Sequence, residues 1–257
     1  MNLLSRIFSS RKKPDTGVFD AILQPEKPFY AIGDIHGCDG LLIRLLDKIK
    51  KDDKTRNTDI VFVGDYVDRG EESAAVLRRL FAMSEDSTST SVTCLMGNHE
   101  DMMLKFIDNP IERGPRWLQY GGLQTLASFG VRGITTTTTG IALEEARDKL
   151  AFDMGEPLIA WLRDLPTFWQ SGNIAVVHAG ADPEVAINAQ QSRVLKWGHK
   201  AFAHQLRTDG IWVVHGHTIV DQANATDGRI AIDTGAYATG QLTAAQISDQ
   251  EVQFLKA

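Results

Sequence analysis

Gly64-Asp65-Tyr66-Val67-Asp68-Arg69-Gly70 (GDYVDRG, 64–70) follows the apolar run Ile60-Val61-Phe62-Val63, and its reading decides the rest. The run has the length and composition of a buried strand. Gly64 breaks it, so Asp65 stands just past the strand's C-terminal end. That edge is where open α/β sheets bind their ligands. A carboxylate has two oxygens, so Asp65 can bridge two metal ions. Asp68, three residues on, is placed to orient a histidine. Arg69 can grip a phosphate with two parallel hydrogen bonds, which a lysine cannot do. An isolated Asp-Arg in a loop is more often a surface ion pair, so the flanking chain has to decide.

On the N-terminal side, Phe29-Tyr30-Ala31-Ile32 reads as a strand ending in GDIHGC (33–38). A helix is predicted from about Asp39 to Lys50, because Leu41, Leu42, Leu45, Leu46 and Ile49 share one helical face. Lys51–Thr58 reads as a loop. After the central turn a helix is predicted from Glu71 to about Met83, with two acidic residues at its positive end. Ser84–Ser91 is polar, and Val92-Thr93-Cys94-Leu95-Met96 is a third strand that runs into GNHE (97–100). Strand, motif and helix thus recur three times, the βαβ pattern of a mainly parallel sheet.

Residues 101–165 read as helical, with Phe106, Trp117, Tyr120, Phe129, Phe152 and Trp161 distributed along them. Gly121-Gly122 and five threonines at 135–139 interrupt this stretch, the latter as a loop at a helix boundary. It reads as an insertion capping the sheet and shaping a cleft, although ordinary helix packing explains most of its aromatics. Strand character returns at Ile174-Ala175-Val176-Val177, which ends in His178-Ala179-Gly180. A helix is predicted from Val194 to Leu206. Ile211-Trp212-Val213-Val214 leads into HGHT (215–218), and residues 228–254 alternate short strands with turns. Residues 1–25 read as a tail and 26–257 as a single domain; there is no solenoid repeat.

The bulk numbers narrow the class. At 257 residues, 43% hydrophobic and 23% charged, the chain has a globular composition with enough length for a substantial core. The net charge of −6 ranks nucleic acid low as a partner. Two cysteines, Cys38 and Cys94, lie far apart without CxxC spacing, which fits free thiols in the cytoplasm. Apolar residues precede Arg11-Lys12-Lys13, the wrong order for a signal peptide, and no run of 18 apolar residues exists. No membrane association is expected; residues 1–16 read as a frayed tail, and the oligomeric state is left open.

Five apolar strands therefore end in ligand-type residues: Asp34 and His36, Asp65, Asn98 and His99, His178, and His215 with His217. One histidine after a strand is usually structural, but five such endings on neighbouring strands gather at one edge. Carboxylates, imidazoles and an amide suit manganese, iron or zinc. The lack of cysteine argues against a structural zinc site. Two such ions about 3.5–4 Å apart suit hydrolysis of a phosphate ester, because they lower the pKa of a bound water to about 7. A leaving alkoxide needs a proton, which a histidine held by a carboxylate can supply.

GDIHG, GDYVDRG, GNHE, HAG and GHT, in this order, resemble the calcineurin-like metallophosphoesterases. More narrowly they resemble the phosphoprotein phosphatase branch with its compact lambda-phage-type bacterial members. The match runs from Tyr30 to Gly235. It implies an α/β fold, a four-layer αββα sandwich with a helical insertion and two divalent metal ions at one end. Carried over motif by motif, it implies that Asp34 and His36 ligate the first metal and that Asp65 bridges both. Asn98, His178 and His217 would complete the second. His99 would protonate the leaving oxygen with Asp68 as partner, and Arg69 and Asn98 would bind the substrate phosphate.

His215 is read as a neighbour of the ligands, Glu100 as a support of the loop, and Asp233 as a hydrogen-bonding neighbour of the cluster. Cys38 is read as a small helix-starting residue whose position also permits oxidation. One departure stands out. The branch carries a second phosphate-binding arginine after the HAG motif, which here aligns with His199; Arg193 and Lys196 lie close in sequence.

The resemblance implies a serine/threonine protein phosphatase that uses a metal-bridging hydroxide directly, without a phosphoenzyme. The alternatives are symmetrical hydrolysis of diadenosine tetraphosphate or a broad small-molecule phosphatase. The former enzymes lean towards GNHD, whereas this chain has GNHE. A non-catalytic metal scaffold ranks last, since every ligand and the acid are present.

Overall fold

All four residues of β1 (Phe29–Ile32) are buried, and the pleat divides them. Tyr30 and Ile32 enter one apolar cluster, and Phe29 and Ala31 another. A strand with both faces in apolar surroundings belongs inside a layered fold. The computed structural model, which describes residues 17–52, 58–86 and 91–257, shows that arrangement.

From β1 the chain passes through α1 (Asp39–Asp52), β2 (Asp59–Phe62), α2 (Ser73–Glu85) and β3 (Val92–Cys94). The three strands pair in parallel in the order β1-β2-β3, as the repeated strand–motif–helix pattern requires. Leu41, Leu42, Leu45 and Ile49 of α1 are buried on one face. Arg79 of α2 grips Asp39 at the start of α1 through Nε and Nη2, at 2.7 and 2.8 Å.

The middle of the chain is helical: α3 (Asn98–Asp108), α4 (Pro110–Trp117), a π-helical turn (Leu118–Gly122), α5 (Leu123–Ser128), α6 (Ile141–Met154) and α7 (Glu156–Arg163). The first of these begins inside GNHE rather than after it. The Glu100 side chain accepts the Gly97 N–H at 3.1 Å, so the motif itself caps the helix. The threonine run lies before α6, where Thr135 Oγ1 sits 3.0 Å from Thr137 Oγ1.

The second half adds β4 (Phe168–Ser171), β5 (Ile174–Val177), α8 (Ser192–Trp197), β6 (Trp212–His215), β7 (Asn224–Thr226), β8 (Arg229–Ala231), α9 (Ala236–Thr239), β9 (Thr243–Ser248) and β10 (Glu251–Lys256). The predicted helix from Val194 to Leu206 is corrected. α8 ends at Trp197, because Gly198 adopts φ 81°, and turns follow.

Two five-stranded sheets result, β10-β9-β1-β2-β3 and β4-β5-β6-β8-β7. Phe29, Val61, Val63, Ile174, Val176, Val214 and Ile230 form the apolar layer between them. The helices cover the first sheet. A smaller cluster of Ala175, Val177, Leu195, Phe202 and Val213 covers the outer face of the second. The sandwich flanked by helices expected from the resemblance is thus present, with a fourth layer made of one short helix and turns.

Of the predicted tail, residues 1–16 lie outside the described residues. Residues 17–25 run along the second sheet: Trp212 Nε1 donates to Ala21 O at 2.8 Å, and Gln24 N donates to Asn173 Oδ1 at 2.8 Å. Among the described residues, no helix is long and apolar enough to cross a membrane.

In the first sheet β1, β2 and β3 run in parallel, and in the second β5, β6 and β8 do. Their C-terminal loops carry residues 33–38, 64–70, 97–100, 178–180, 215–218 and 232–235 to one end of the sandwich.

Candidate metal centre

Asp65 lies at the middle of those loops. His36 Nε2, His99 Nε2 and His178 Nε2 stand 3.6, 3.8 and 3.4 Å from its Oδ2. Two groups with the spacing of metal ligands share this carboxylate: His36, Asp65 and His99, and Asp65, His178 and His217. The backbone is held in the left-handed region at His36, Asp65, Asp68, Arg69 and His217, where non-glycine residues are uncommon. Such conformations persist only where the surroundings over-determine them. At Asp65 the Glu100 carboxylate contributes: it accepts the N–H groups of Asp65 (2.9 Å), Tyr66 (2.8 Å), Val67 (3.2 Å) and Gly97 (3.1 Å). Elsewhere Asp68 N donates to Thr125 Oγ1, Arg69 N to Gly121 O and His217 N to Asp34 Oδ2. Burial, and then the adjacent Asp65 carboxylate, push the Glu100 carboxyl up to about 7. Gly97 has no room for a side chain, since a Cβ would stand 2.3 Å from Asp65 N.

The histidine tautomers are set from behind. His36 Nδ1 donates to Val67 O at 2.8 Å, and His178 Nδ1 to Val63 O at 3.2 Å. Each leaves an Nε2 lone pair directed at the centre, the arrangement that orients metal-binding imidazoles. His178 Nε2 also faces Asn98 Oδ1 at 2.8 Å. Two acceptors turned towards one another are suited to share a cation. Burial, opposed by Asp65, pushes His36 down to about 3, and burial with the neighbouring His178 pushes His217 down to about 4. Both rings are therefore neutral and able to ligate near pH 7.

The carboxylates supply the strongest test of fit. Asp34 Oδ2 accepts the His217 N–H at 3.0 Å, while Oδ1 is buried without a hydrogen-bond partner among the described residues. A buried polar atom left so is costly unless something else satisfies it. Burial, then Asp233 and then Asp65, raise the Asp34 carboxyl well above the usual range. Burial also opposes the charge on Asp65, yet His178, His99 and His36 hold its carboxyl well below that range. Divalent cations relieve this crowding of buried acids, and the donors are all oxygen and nitrogen.

The approach to Asp34 Oδ1 depends on Gly216, whose Cβ, if present, would stand 1.8 Å from that oxygen. Gly216→Ala is therefore expected to abolish binding of one metal ion and to lower turnover at least about 100-fold. Metal content by mass spectrometry of the native protein, beside circular dichroism for the fold, checks this. Full metal occupancy in the variant would show that Asp34 Oδ1 is not a ligand.

Beside the centre lies a second buried set. His99 Nδ1 stands 2.7 Å from Asp68 Oδ2. Asp68 also accepts from Trp117 Nε1 (3.1 and 2.9 Å) and from Thr125 Oγ1 (2.6 Å). Burial opposes a charge on His99, but Asp65 and Asp68 raise its pKa above that of an ordinary imidazole. Burial raises the Asp68 carboxyl against its hydrogen bonds from His99, Thr125 and Trp117. Arg69 Nη2 lies 3.4 Å from His99 Nε2, and its guanidinium packs 4.8 Å from the ring centroid of Tyr237. That ring also stands edge-on to His36 at 5.4 Å.

The structure thus brings together all nine site residues singled out from the sequence: Asp34, His36, Asp65, Asp68, Arg69, Asn98, His99, His178 and His217. Sequence reasoning missed Trp117, Thr125 and Tyr237 as parts of the site. The only signal nearby was the Gly121-Gly122 interruption between the first two. His215 stays outside both ligand groups, buried against Phe202 with Nδ1 3.0 Å from Gly216 O. Asp233 accepts the Gly235 N–H at 2.8 Å and faces Asp34 electrostatically. Cys38 Sγ donates to His36 O at 3.4 Å, and burial and Glu72 raise its thiol, which disfavours the reactive thiolate. His199 turns to Asp182, 3.8 Å away.

The family model described as calcineurin-like phosphoesterase matches residues 27–221. Asymmetrical bis(5'-nucleosyl)-tetraphosphatase PrpE of Oceanobacillus iheyensis is 26% identical over 247 residues, covering 86% of this chain and 88% of that protein. Symmetrical bis(5'-nucleosyl)-tetraphosphatase of an Acidovorax species is 32% identical over 162 residues. That alignment covers 60% of this chain and 44% of the relative, less than half of its length. The solved structure of a cold-active protein-tyrosine phosphatase from a Shewanella species shares the fold, with a TM-score of 0.57 at 18% identity over 91% of this chain and 83% of that one. Both ligand groups and the Asp68–His99 pair fall inside the matched span, which takes in well over half the chain: it belongs to the calcineurin-like phosphoesterases, metal-dependent hydrolases of phosphate esters.

Proposed function

We propose that this chain hydrolyses bis(5'-nucleosyl) tetraphosphates at a centre for two divalent ions. The observation that carries the reaction type is the sharing of Asp65 by two ligand groups beside the His99–Asp68 pair and Arg69. The substrate class is supported by the relative that aligns over most of both chains. It replaces the phosphoprotein as first choice. The serine/threonine phosphatase reading keeps one specific support, the GNHE motif next to a complete GDYVDRG.

In this reading Asp34, His36 and Asp65 would hold one ion, and Asp65, Asn98, His178 and His217 would hold the other. When bound, such ions acidify water into a nucleophile and neutralise phosphoryl oxygens. Manganese fits the donor set, as do iron and zinc. Arg69 and Asn98 fix the reacting phosphoryl group. Water gives a proton to solvent as its oxygen bonds to phosphorus, the P–O bond to the departing nucleotide breaks, and His99 Nε2 gives its proton to the departing oxygen and regains one from solvent. Asp68 holds the ring through Nδ1, so only Nε2 can deliver it. Trp117 and Thr125 keep Asp68 from turning away.

The test is turnover of diadenosine tetraphosphate and of a phosphoserine peptide, in manganese and in chelator. Preference for the dinucleotide, lost in chelator, is the expected result. Two molecules of ADP mark symmetrical cleavage, and ATP with AMP marks asymmetrical cleavage. Preference for the peptide would return the assignment to the protein phosphatases.

A further inference from the structure

The segment after the HAG motif holds three cationic candidates for a second phosphate grip, and the structure disposes of two. Lys196 Nζ is bound to Asp101 Oδ1 at 2.6 Å, and His199 leans on Asp182. Arg193 is exposed on α8. The cation that does reach this segment comes from the helical insertion. Arg116, in the last turn of α4, lies with its guanidinium carbon 5.1 Å from the Trp197 ring centroid and 5.8 Å from that of Tyr120. It is exposed and has no carboxylate partner among the described residues. A guanidinium over aromatic rings keeps its charge and its N–H donors, since a ring face is not a carboxylate. The rings therefore hold a positive fork in place without neutralising it.

Its placement follows from its neighbours. The next residue, Trp117, donates to Asp68, which precedes Arg69. Gly121, after Tyr120, accepts the Arg69 N–H at 3.3 Å. On the other side, Leu195 of the helix bearing Trp197 accepts the N–H of Ala179, next to His178, at 2.8 Å. The Arg116–Tyr120–Trp197 trio thus joins the Arg69 loop to the His178 loop at the rim of the centre.

We infer that Arg116 binds the phosphates of a polyphosphate substrate that lie beyond the reacting one. This rests on the tetraphosphate reading above: a monoester carries one phosphoryl group, which Arg69 and the centre accommodate, whereas a tetraphosphate carries further charge outwards to the rim. Arg116 is then a specificity residue for chain length.

The experiment compares wild type, Arg116→Ala and Arg116→Lys, all manganese-loaded with free manganese held in excess and constant. Binding of tripolyphosphate and of orthophosphate is measured by calorimetry, and KM for diadenosine tetraphosphate and for p-nitrophenyl phosphate by kinetics. In Arg116→Ala, tripolyphosphate binding and the dinucleotide KM are expected to weaken about tenfold or more. Orthophosphate binding and the p-nitrophenyl phosphate KM should stay within about twofold. Arg116→Lys, charged but without the fork, should fall between. Equal weakening for both anions, or none for either, would overturn the proposal. If wild type ignores the dinucleotide while the tripolyphosphate contrast holds, the substrate reading fails and the role of Arg116 stands. If the dinucleotide is a good substrate with unchanged KM in Arg116→Ala, the reverse follows.

Discussion

His99→Asn is expected to lower kcat on an alkyl phosphate by about 10²–10⁴-fold, the range for loss of a positioned acid. An alkoxide leaves poorly without a proton, and His99 Nε2 is the buried donor held at the centre by Asp68. The loss should shrink for p-nitrophenyl phosphate and for a dinucleoside tetraphosphate, whose leaving groups are stabilised anions. This graded response separates proton donation from general damage. His99 also has the spacing of a ligand towards His36 and Asp65, so metal content decides its role. Two ions retained with unchanged melting temperature agree with an acid. An ion lost would make His99 a ligand, and the proton would have to come from elsewhere.

Glu100→Ala is expected to destabilise the protein by at least about 4 kcal/mol, placing it among the exceptional single substitutions. One carboxylate satisfies four buried N–H groups, and removing it leaves all four without that acceptor. For a chain of this length the melting temperature should fall by about 10 °C or more. The same substitution should release metal, because the N–H of Asp65, the shared ligand, is among those held. Glu100→Gln keeps one carbonyl acceptor but turns an amide NH₂ towards other N–H groups, so an intermediate loss is expected. Thermal melting with and without manganese checks both variants. A melting temperature within about 2 °C of wild type for Glu100→Ala would show that water replaces the carboxylate.

The two variants probe different layers of one design. The ligands lie on loops after parallel strands, where the sheet fixes the start of each loop. Glu100 at the first turn of α3 then fixes the course of the central one. Its location in GNHE marked it from the sequence as a support, and the four contacts show the form this takes. The protein phosphatase reading fared differently. It rested on Glu100 in place of aspartate and on the completeness of GDYVDRG. Those features concern the metal loops, which hydrolases with different substrates have in common, so they bear weakly on which phosphate compound is cleaved.

The parallel run of the first three strands and the gathering of the nine candidate residues at one sheet edge were legible in the sequence, whereas β4 and the antiparallel placement of β9 and β10 beside β1 were not. The reason is local: a short apolar run bounded by glycine makes a strand, and a residue just past it is carried to the sheet edge. The ends of helices were less legible, because Gly198 stops α8 through a backbone angle that no side-chain periodicity announces. Tertiary structure alone decided what lies around the centre. Trp117 and Thr125 reach Asp68 across 49 and 57 residues of chain, and Arg116 of the insertion meets Trp197 of the helix that follows β5. Such contacts depend on how the helices dock on the two sheets and on one another. Burial and packing choose that docking, and they place a tryptophan Nε1 against a carboxylate where the helical pattern records only one more apolar residue.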